Sequence, residues 1–172
     1  MSVGASAASH RRTEVYRVTA AGLLEHRWLD TSRPGTTWTD WQRAPFAHAA
    51  VAVAAISGWD EQIEVFVVDR LGRVWNRWWW HERGWEPADR FNPLGAPFGQ
   101  IQPRALSALS AGGGHFNVFV EGPDGQLAML PHVNGPDGPF WRRCDGPEAL
   151  GDGWWPAFGA LPEGVYRRAP PG

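Results

Sequence analysis

The stretch EVFVVDRLGRVWNRW at residues 64–78 decides the fold, because its pattern occurs twice more in the chain. It aligns without gaps with EVYRVTAAGLLEHRW at 14–28 and with NVFVEGPDGQLAMLP at 117–131. Each copy has a stretch rich in Val, Phe or Tyr, then a glycine, then a second stretch of strand length. A glycine at that place is typical of a tight turn with positive φ. The sequence therefore predicts three copies of one β-hairpin, which turn at Gly22, Gly72 and Gly125.

The residues on either side of the hairpins add one strand at each end. Small-residue stretches precede the second and third hairpins, VAVAAIS at 51–57 and ALSALSA at 105–111. A segment with tryptophan follows each hairpin, and it contains Trp38 and Trp41, Trp85, or Trp141. Four antiparallel strands in about 50 residues are typical of the blade of a β-propeller. A helical solenoid is the alternative, but 21 glycines and 15 prolines leave no long helical window.

The chain is therefore predicted to be a single all-β domain, 1–172, with a small number of blades. We place the first blade at about 12–47, the second at about 49–97 and the third at about 101–150. A further closing strand is expected at about 154–164.

Three four-stranded antiparallel blades do not close a ring, since propellers have typically four to eight. We therefore expect a homodimer whose two copies form a six-bladed ring. In this prediction the C-terminal strand of one copy supplies the first strand of the first blade in its neighbour. The N-terminal stretch MSVGASAA is the alternative occupant of that place.

Composition and charge exclude several classes of function. No apolar run approaches the ~20 residues that span a bilayer, and the N-terminus lacks the apolar core of a signal peptide. We expect no membrane insertion and a cytoplasmic location, with release without a signal peptide as the alternative. All sixteen basic residues are arginine and the net charge is −2, which disfavours a nucleic-acid partner. One cysteine, Cys144, and no Cys/His cluster with zinc spacing predict no disulfide, metal site or cofactor.

The hairpin pattern resembles the β-propeller lectins of bacteria and fungi, including the six-bladed fucose-specific lectins and the tectonin-like lectins. GLLEHRWLD at 22–30 and GRVWNRWWW at 72–80 carry the likeness best, which spans roughly residues 12–150. The resemblance implies a sugar-binding propeller, and some of these lectins build their ring from several short chains.

In the fucose-specific kind, the resemblance implies a sugar held by an arginine in the first hairpin strand and a glutamate eleven residues further on. Tryptophans from neighbouring strands complete that site. This chain departs from the pattern. The three arginine positions hold Glu14, Glu64 and Asn117, and the three glutamate positions hold Glu25, Trp75 and Ala128.

The tryptophans of the second hairpin divide between two faces of a strand. Alternation sends Val74, Asn76, Trp78 and Trp80 to one face and Trp75, Arg77 and Trp79 to the other. Because Trp78 recurs as Trp28, we interpret both as core residues wedged between neighbouring sheets. On the other face, the guanidinium of Arg77 can lie along an indole. A structural stack and a sugar-binding platform would have this same sequence pattern. The predicted ligand-binding residues are Glu25, Arg27, Trp38, Trp41, Trp75, Arg77, Trp79 and Trp85.

Three classes of function follow. The leading hypothesis is a carbohydrate-binding module that holds a glycan or another small ligand between blades. The second is a small enzyme of a bacterial natural-product pathway, such as a cyclase, with Glu25, His26 and Glu64 on the wall of an aromatic pocket. The third is a protein-interaction scaffold. No Ser/His/Asp arrangement of any specificity occurs, so no residue is predicted to be catalytic on spacing alone.

Overall fold

The computed structural model describes residues 2–8, 11–59, 61–112, 115–132, 142–143, 154–155 and 167–168. Its strands form three successive antiparallel sheets of four or five strands and a separate two-stranded sheet, and the described residues contain no helix. The predicted all-β architecture of three repeated blades is therefore confirmed. Within the same residues, no helix is long and apolar enough to cross a membrane.

The first blade has the strand order β1 (Ser2–Ala8), β2 (Arg12–Val18), β3 (Leu24–Asp30) and β4 (Gln42–Arg43). The chain's own N-terminal strand β1 thus occupies the innermost place, along the whole of β2. The prediction that a neighbour's C-terminal strand fills this place is wrong, and the alternative stretch MSVGASAA is the right one. Small residues suit the position: a Cβ on Gly4 would lie 3.1 Å from the carbonyl oxygen of Val53 in the next blade.

The second blade contains β5 (Ala50–Ile56), β6 (Gln62–Asp69), β7 (Val74–Trp80), β8 (Gly84–Glu86) and β9 (Asn92–Gly95). Its outermost strand is split, because β8 pairs with one end of β7 and β9 with the other. Every residue of β6 is buried. This is expected of a central strand that is covered on both faces by neighbouring blades.

The third blade has the order β10 (Ala105–Gly112), β11 (His115–Glu121), β12 (Leu127–His132) and β13 (Arg142–Arg143). Trp141, predicted to belong to its last strand, lies outside the described residues. The predicted closing strand is described only at β14 (Trp154–Trp155), which pairs with β15 (Arg167–Arg168). Residues 156–164 of that prediction lie outside the described residues.

The predicted hairpin turns are confirmed at all three glycines. Gly22, Gly72 and Gly125 have φ values of 79°, 71° and 76°, in the left-handed region that favours glycine. At Gly72 the constraint is also steric, because a Cβ there would lie 2.2 Å from the carbonyl oxygen of Ile101.

Alternation along the strands gives each blade two faces, and the core lies between blades. We call the interface of the first and second blades the first seam, where Tyr16, Val18 and Leu24 pack with Val65 and other apolar residues of the second blade. The interface of the second and third blades is the second seam. There Phe66 packs with Phe116, Val118 and Leu130, and Val68 and Val74 pack with Val120. Each such buried side chain contributes about 1.5–3 kcal/mol, so the seams hold the blades together.

Candidate functional site

Arg77 lies in the first seam, where it donates hydrogen bonds to the backbone of its own blade. Its side chain is on β7 and the residue is 5% exposed. The Nε donates to the carbonyl oxygen of Pro87 at 2.7 Å, and a terminal nitrogen donates to that of Ala88. The guanidinium lies over the ring of Trp85 at 4.7 Å, so Arg77 lies along an indole as expected, and that indole is Trp85. Burial lowers the pKa of Arg77.

Trp75 is likewise engaged by its own blade and its neighbour. Its ring stacks on that of His48 at a centroid distance of 4.6 Å and meets Phe46 edge-on. Its Nε1 donates to Oδ2 of the buried Asp69 at 3.1 Å. An indole with its face and its N–H both occupied contributes to packing in this structure.

A second group of predicted residues lies on the opposite side of the first blade. We call Arg17, Glu25, Arg27, Trp38 and Trp41 the outer face. Arg17 forms an ion pair with Glu25 at 2.6 Å, and its guanidinium lies 4.0 Å from the ring centroid of Trp41. Arg27 lies over Trp41 at 4.8 Å and over Trp38 at 5.1 Å. The Nε of Arg27 is buried without a hydrogen-bond partner.

A buried charged network lies in the first seam, on the side of the first blade that faces the second. Glu14 is fully buried and accepts hydrogen bonds from Arg12 Nε at 2.7 Å and from His26 Nδ1 at 2.5 Å. His26 stacks on Tyr16 at 5.9 Å and contacts Trp28 at 5.7 Å. Burial, and then the charge of Glu14, raise the pKa of Tyr16 well above its usual value.

The second seam has a different chemistry at the equivalent positions. Gln62 stands in the place of Arg12, and Asn76 stands in the place of His26. Glu64, 3% exposed, accepts a hydrogen bond from Asn76 Nδ2 at 2.7 Å. Burial raises the pKa of Glu64 to about 7. The repeated glutamate therefore has two basic partners in the first seam and an amide in the second.

An open cleft of about 350 Å³ lies at one end of the first seam, and we call it the seam cleft. Arg12 lines it, with its guanidinium carbon 4.5 Å from the ring centroid of Trp28 and 4.8 Å from that of Trp79. The two indoles come from different blades, so the cleft exists only when the blades meet. The lining residues are Arg11, Arg12, Trp28, Asp30, Ser32, Arg33, Trp79 and His81.

The rim of the seam cleft is polar and charged. Asp30 accepts hydrogen bonds from the backbone N–H and the hydroxyl of Ser32, and these bonds lower its pKa. Arg33 lies 3.9 Å from Asp30. Arg11 contacts the ring nitrogen of His81 and lies 3.6 Å from Glu61. The rim thus offers guanidinium donors and one carboxylate acceptor.

The predicted ligand-binding residues separate into three places. Only Trp79 lines the seam cleft. Trp75, Arg77 and Trp85 are packed within the first seam, and the other four belong to the outer face. Trp28, predicted to be a core residue, lines the cleft. Trp78 is half-buried and donates its Nε1 to Glu86 at 2.8 Å.

Most of the cleft residues were missed in the sequence. Arg11 and Arg12 precede the repeated stretch 14–28, and Asp30, Ser32 and Arg33 follow it, at the end of β3 and in the next turn. One signal was present. Arg12 lies two residues before Glu14 on the same face of β2, and the second repeat has Gln62 there.

The three residues considered for catalysis are not brought together. Glu25 and His26 are adjacent on β3, so their side chains lie on opposite faces. Glu64 lies on the same face of β6 as Phe66, which packs in the second seam. Among the residues whose side chains the structure describes, no group of three or more His, Cys, Asp or Glu could hold a metal ion.

Comparison with known proteins identifies the fold. No protein-family model matches the chain, and no curated protein sequence does. Solved structures of a lectin from Aleuria aurantia do match. A mutant in complex with alpha-methyl-L-fucoside has 16% identity and a TM-score of 0.58 over 81% of this chain and 43% of the lectin. The same mutant in complex with Fucα1-6GlcNAc gives the same values.

A mercury derivative of the fucose-specific lectin from Aleuria aurantia has 14% identity and a TM-score of 0.56, over the same shares of the two chains. The chain thus spans less than half the length of these lectins. At such identities the likeness establishes a shared β-propeller fold.

Proposed function

We propose that this protein is a carbohydrate-binding β-propeller and that its sugar site is the seam cleft. The observation that carries the proposal is the meeting of Trp28 and Trp79, from two blades, at an open cleft with charged donors and acceptors on its rim. Sugars require aromatic walls for their C–H surfaces and forked donors or carboxylates for their hydroxyls.

The size of the cleft and the similar structures support the same class of ligand. A volume of about 350 Å³ lies at the lower end of small-ligand pockets, which suits a short saccharide. Two of the similar lectin structures are complexes with fucosides. Fucose itself is not proposed, because this chain lacks the arginine of the fucose-specific pattern at Glu14 and Glu64.

A multivalent glycan array, followed by calorimetry on the glycans that bind, tests the proposal. We expect a dissociation constant near the millimolar level for one sugar, about −4 kcal/mol. Ser32→Trp places an indole in the cleft from an exposed loop, and Thr31→Trp makes the same change at the neighbouring exposed residue, which does not line the cleft.

Ser32→Trp should weaken binding about tenfold or more, and Thr31→Trp should change it less than about twofold. A silent array would contradict the carbohydrate function. Equal binding by the two variants would contradict this location of the site.

We also propose that a second copy of the chain covers the outer face of the first blade. Arg77, the equivalent of Arg27, is buried with Trp85 where the first blade covers the second. The outer face has the same arginine and aromatic construction, yet Trp38 is 37% exposed. The outer face therefore resembles a blade face that is covered by a neighbouring blade. A blade from another copy is the surface that we expect to cover it.

Charge complementarity supports the third blade as that surface. In the second seam, Val68 packs with Val120. At the proposed junction, Glu121 of one copy takes the place of Val68. Arg17 of the other copy takes the place of Val120. Two three-bladed copies joined in this way give six blades, within the size range of propeller rings.

A further inference from the structure

The wall of the seam cleft differs from an ordinary neutral-sugar platform. The Arg12 guanidinium lies close to both indoles, at 4.5 and 4.8 Å from their centroids. An indole face that already holds a guanidinium has less surface for the C–H groups of a sugar ring. The cleft therefore presents a cation backed by aromatic rings where a neutral-sugar site presents a bare ring.

We infer that the saccharide bound in the seam cleft carries an anionic group, a carboxylate above all, and that Arg12 binds this group. This inference rests on the proposed function. The lining contains three guanidinium groups and one carboxylate, from Arg11, Arg12, Arg33 and Asp30. Arginine presents planar, forked donors that match a carboxylate with two parallel hydrogen bonds.

The surroundings of Arg12 hold its side chain in place and leave its terminal nitrogens for a ligand. Its side chain is only 14% exposed, and its Nε is committed to Glu14 at 2.7 Å. The terminal nitrogens are the remaining donors of a residue that lines the cleft. Glu14 compensates part of the Arg12 charge, and the terminal nitrogens still present the forked donors that match a carboxylate.

The two outer arginines are exposed, and their ion pairs with carboxylates are long. The side chains of Arg11 and Arg33 are 48% and 80% exposed, and their ion pairs with Glu61 and Asp30 are 3.6 and 3.9 Å long. Exposed pairs of this kind contribute roughly 0–1 kcal/mol, so an anionic ligand can compete for them. Asp30, the one acidic residue among the described lining residues, is an acceptor for a sugar hydroxyl.

The second seam provides an internal comparison. Gln62 replaces Arg12, Glu61 replaces Arg11, and Trp80 replaces Asp30 at the equivalent positions. Of the two seams, only the first thus has an arginine between two indoles. We expect one anion-reading site per chain.

Matched pairs of glycans test the inference. The array should contain uronic acids and the corresponding neutral hexoses, and methyl β-glucuronide and methyl β-glucoside should follow by calorimetry. The acidic glycans should bind about tenfold more tightly, and the advantage should shrink as salt screens the charges. Glucose 6-sulfate shows whether a sulfate ester replaces the carboxylate, and acetate shows whether the anion binds without a sugar.

Two variants connect the preference with the cleft. Arg33→Gln changes an exposed side chain of the cleft, and it should weaken the acidic ligand about threefold more than the neutral one. Arg90→Gln is the matched control, because Arg90 is also exposed and does not line the cleft. Arg12→Gln, which introduces the residue of the second seam, should abolish the preference, with its melting temperature as the check on folding.

Neutral hexoses that bind as tightly as their uronic acids would overturn the inference and leave the proposed function standing. Acetate binding as tightly as the glucuronide would also overturn it, because the cleft would then hold an anion and not an acidic sugar. A silent array would instead contradict the proposed function.

Discussion

Two buried glutamates at the same repeat position are stabilised differently. Glu14 accepts hydrogen bonds from Arg12 and His26, and the Arg12 guanidinium compensates its charge. The hydrogen bond that Glu64 accepts comes from the amide of Asn76, and burial raises the pKa of Glu64 to about 7. The second seam is therefore the one whose stability depends on the protonation of a single carboxyl group.

Glu64→Gln should remove that pH dependence. The folded protein holds the Glu64 proton up to about pH 7, and the unfolded chain loses it near its ordinary pKa of 4.5. The native state thus binds more protons between these values, so stability falls as the pH rises through this window. The loss is complete above pH 7 and amounts to about 3 kcal/mol.

Urea unfolding at about pH 5 and pH 8 measures the effect. Glu64→Gln should be more stable than the natural protein at the higher pH and nearly equal at the lower pH. Glu14→Gln is the comparison, and it should be less stable at both, because Arg12 and His26 lose their partner. Parallel pH profiles for the natural protein and Glu64→Gln would contradict the account.

Arg77 donates to the backbone of its own blade, and the proposed sugar site lies elsewhere, so its replacement should affect stability. Arg77→Met leaves the carbonyl oxygens of Pro87 and Ala88 without their donor, and we expect a loss of about 2–4 kcal/mol in the free energy of unfolding. Sugar affinity of the folded protein should stay within about twofold. Arg83→Met, on an exposed arginine over Trp80, is the control and should cost less than about 1 kcal/mol. Loss of sugar binding at unchanged stability would restore Arg77 to the site.

At the scale of the strand and turn, the hairpin glycines do not have equal constraints. Gly72 and Gly125 share a positive φ, but a Cβ on Gly72 would meet the Ile101 oxygen at 2.2 Å, while a Cβ on Gly125 meets no atom within 4 Å. Gly125→Ala should cost about 1–2 kcal/mol for backbone strain alone. Gly72→Ala should cost clearly more, because backbone must also shift. Equal melting temperatures for the two variants would contradict this difference.

The hairpins could be predicted because local patterns determine them. Alternating apolar residues and a turn glycine are visible in each copy, and the two faces of β7 follow from a period of two. The outermost strands could not be delimited, since β4 has two residues, Gln42 and Arg43, and the edge of the second blade is split. The place of β1 was misassigned because its small residues have weak strand propensity. Close approach to the second blade selects them instead, as Gly4 shows.

At the scale of the whole molecule, the site depends on contacts that no repeat contains by itself. Trp28 and Trp79 belong to different blades and are 51 positions apart in the sequence. The leading hypothesis from the sequence placed a ligand between blades, but periodicity does not show which end of a seam is open. It also does not distinguish the packed Arg77 from the cleft-lining Arg12.

The proposed dimer predicts a charge effect at the junction of two copies. Glu121→Arg should weaken association, because it opposes Arg17 of the other copy. Asp124→Arg makes the same charge change at an exposed turn of the third blade and should leave association intact. Sedimentation equilibrium measures the mass of each. A monomeric natural protein, or equal masses for both variants, would contradict the junction.

The most direct test of the account is the response of the indole N–H resonances to the tightest array glycan. The chain has 12 tryptophans, and single Trp→Phe variants assign their signals. The account predicts that Trp28 and Trp79 shift in proportion to the bound fraction while Trp38 and Trp41 stay in place. Shifts confined to Trp38 and Trp41, with Trp28 and Trp79 unmoved, would place the sugar on the outer face and contradict the seam cleft as its site.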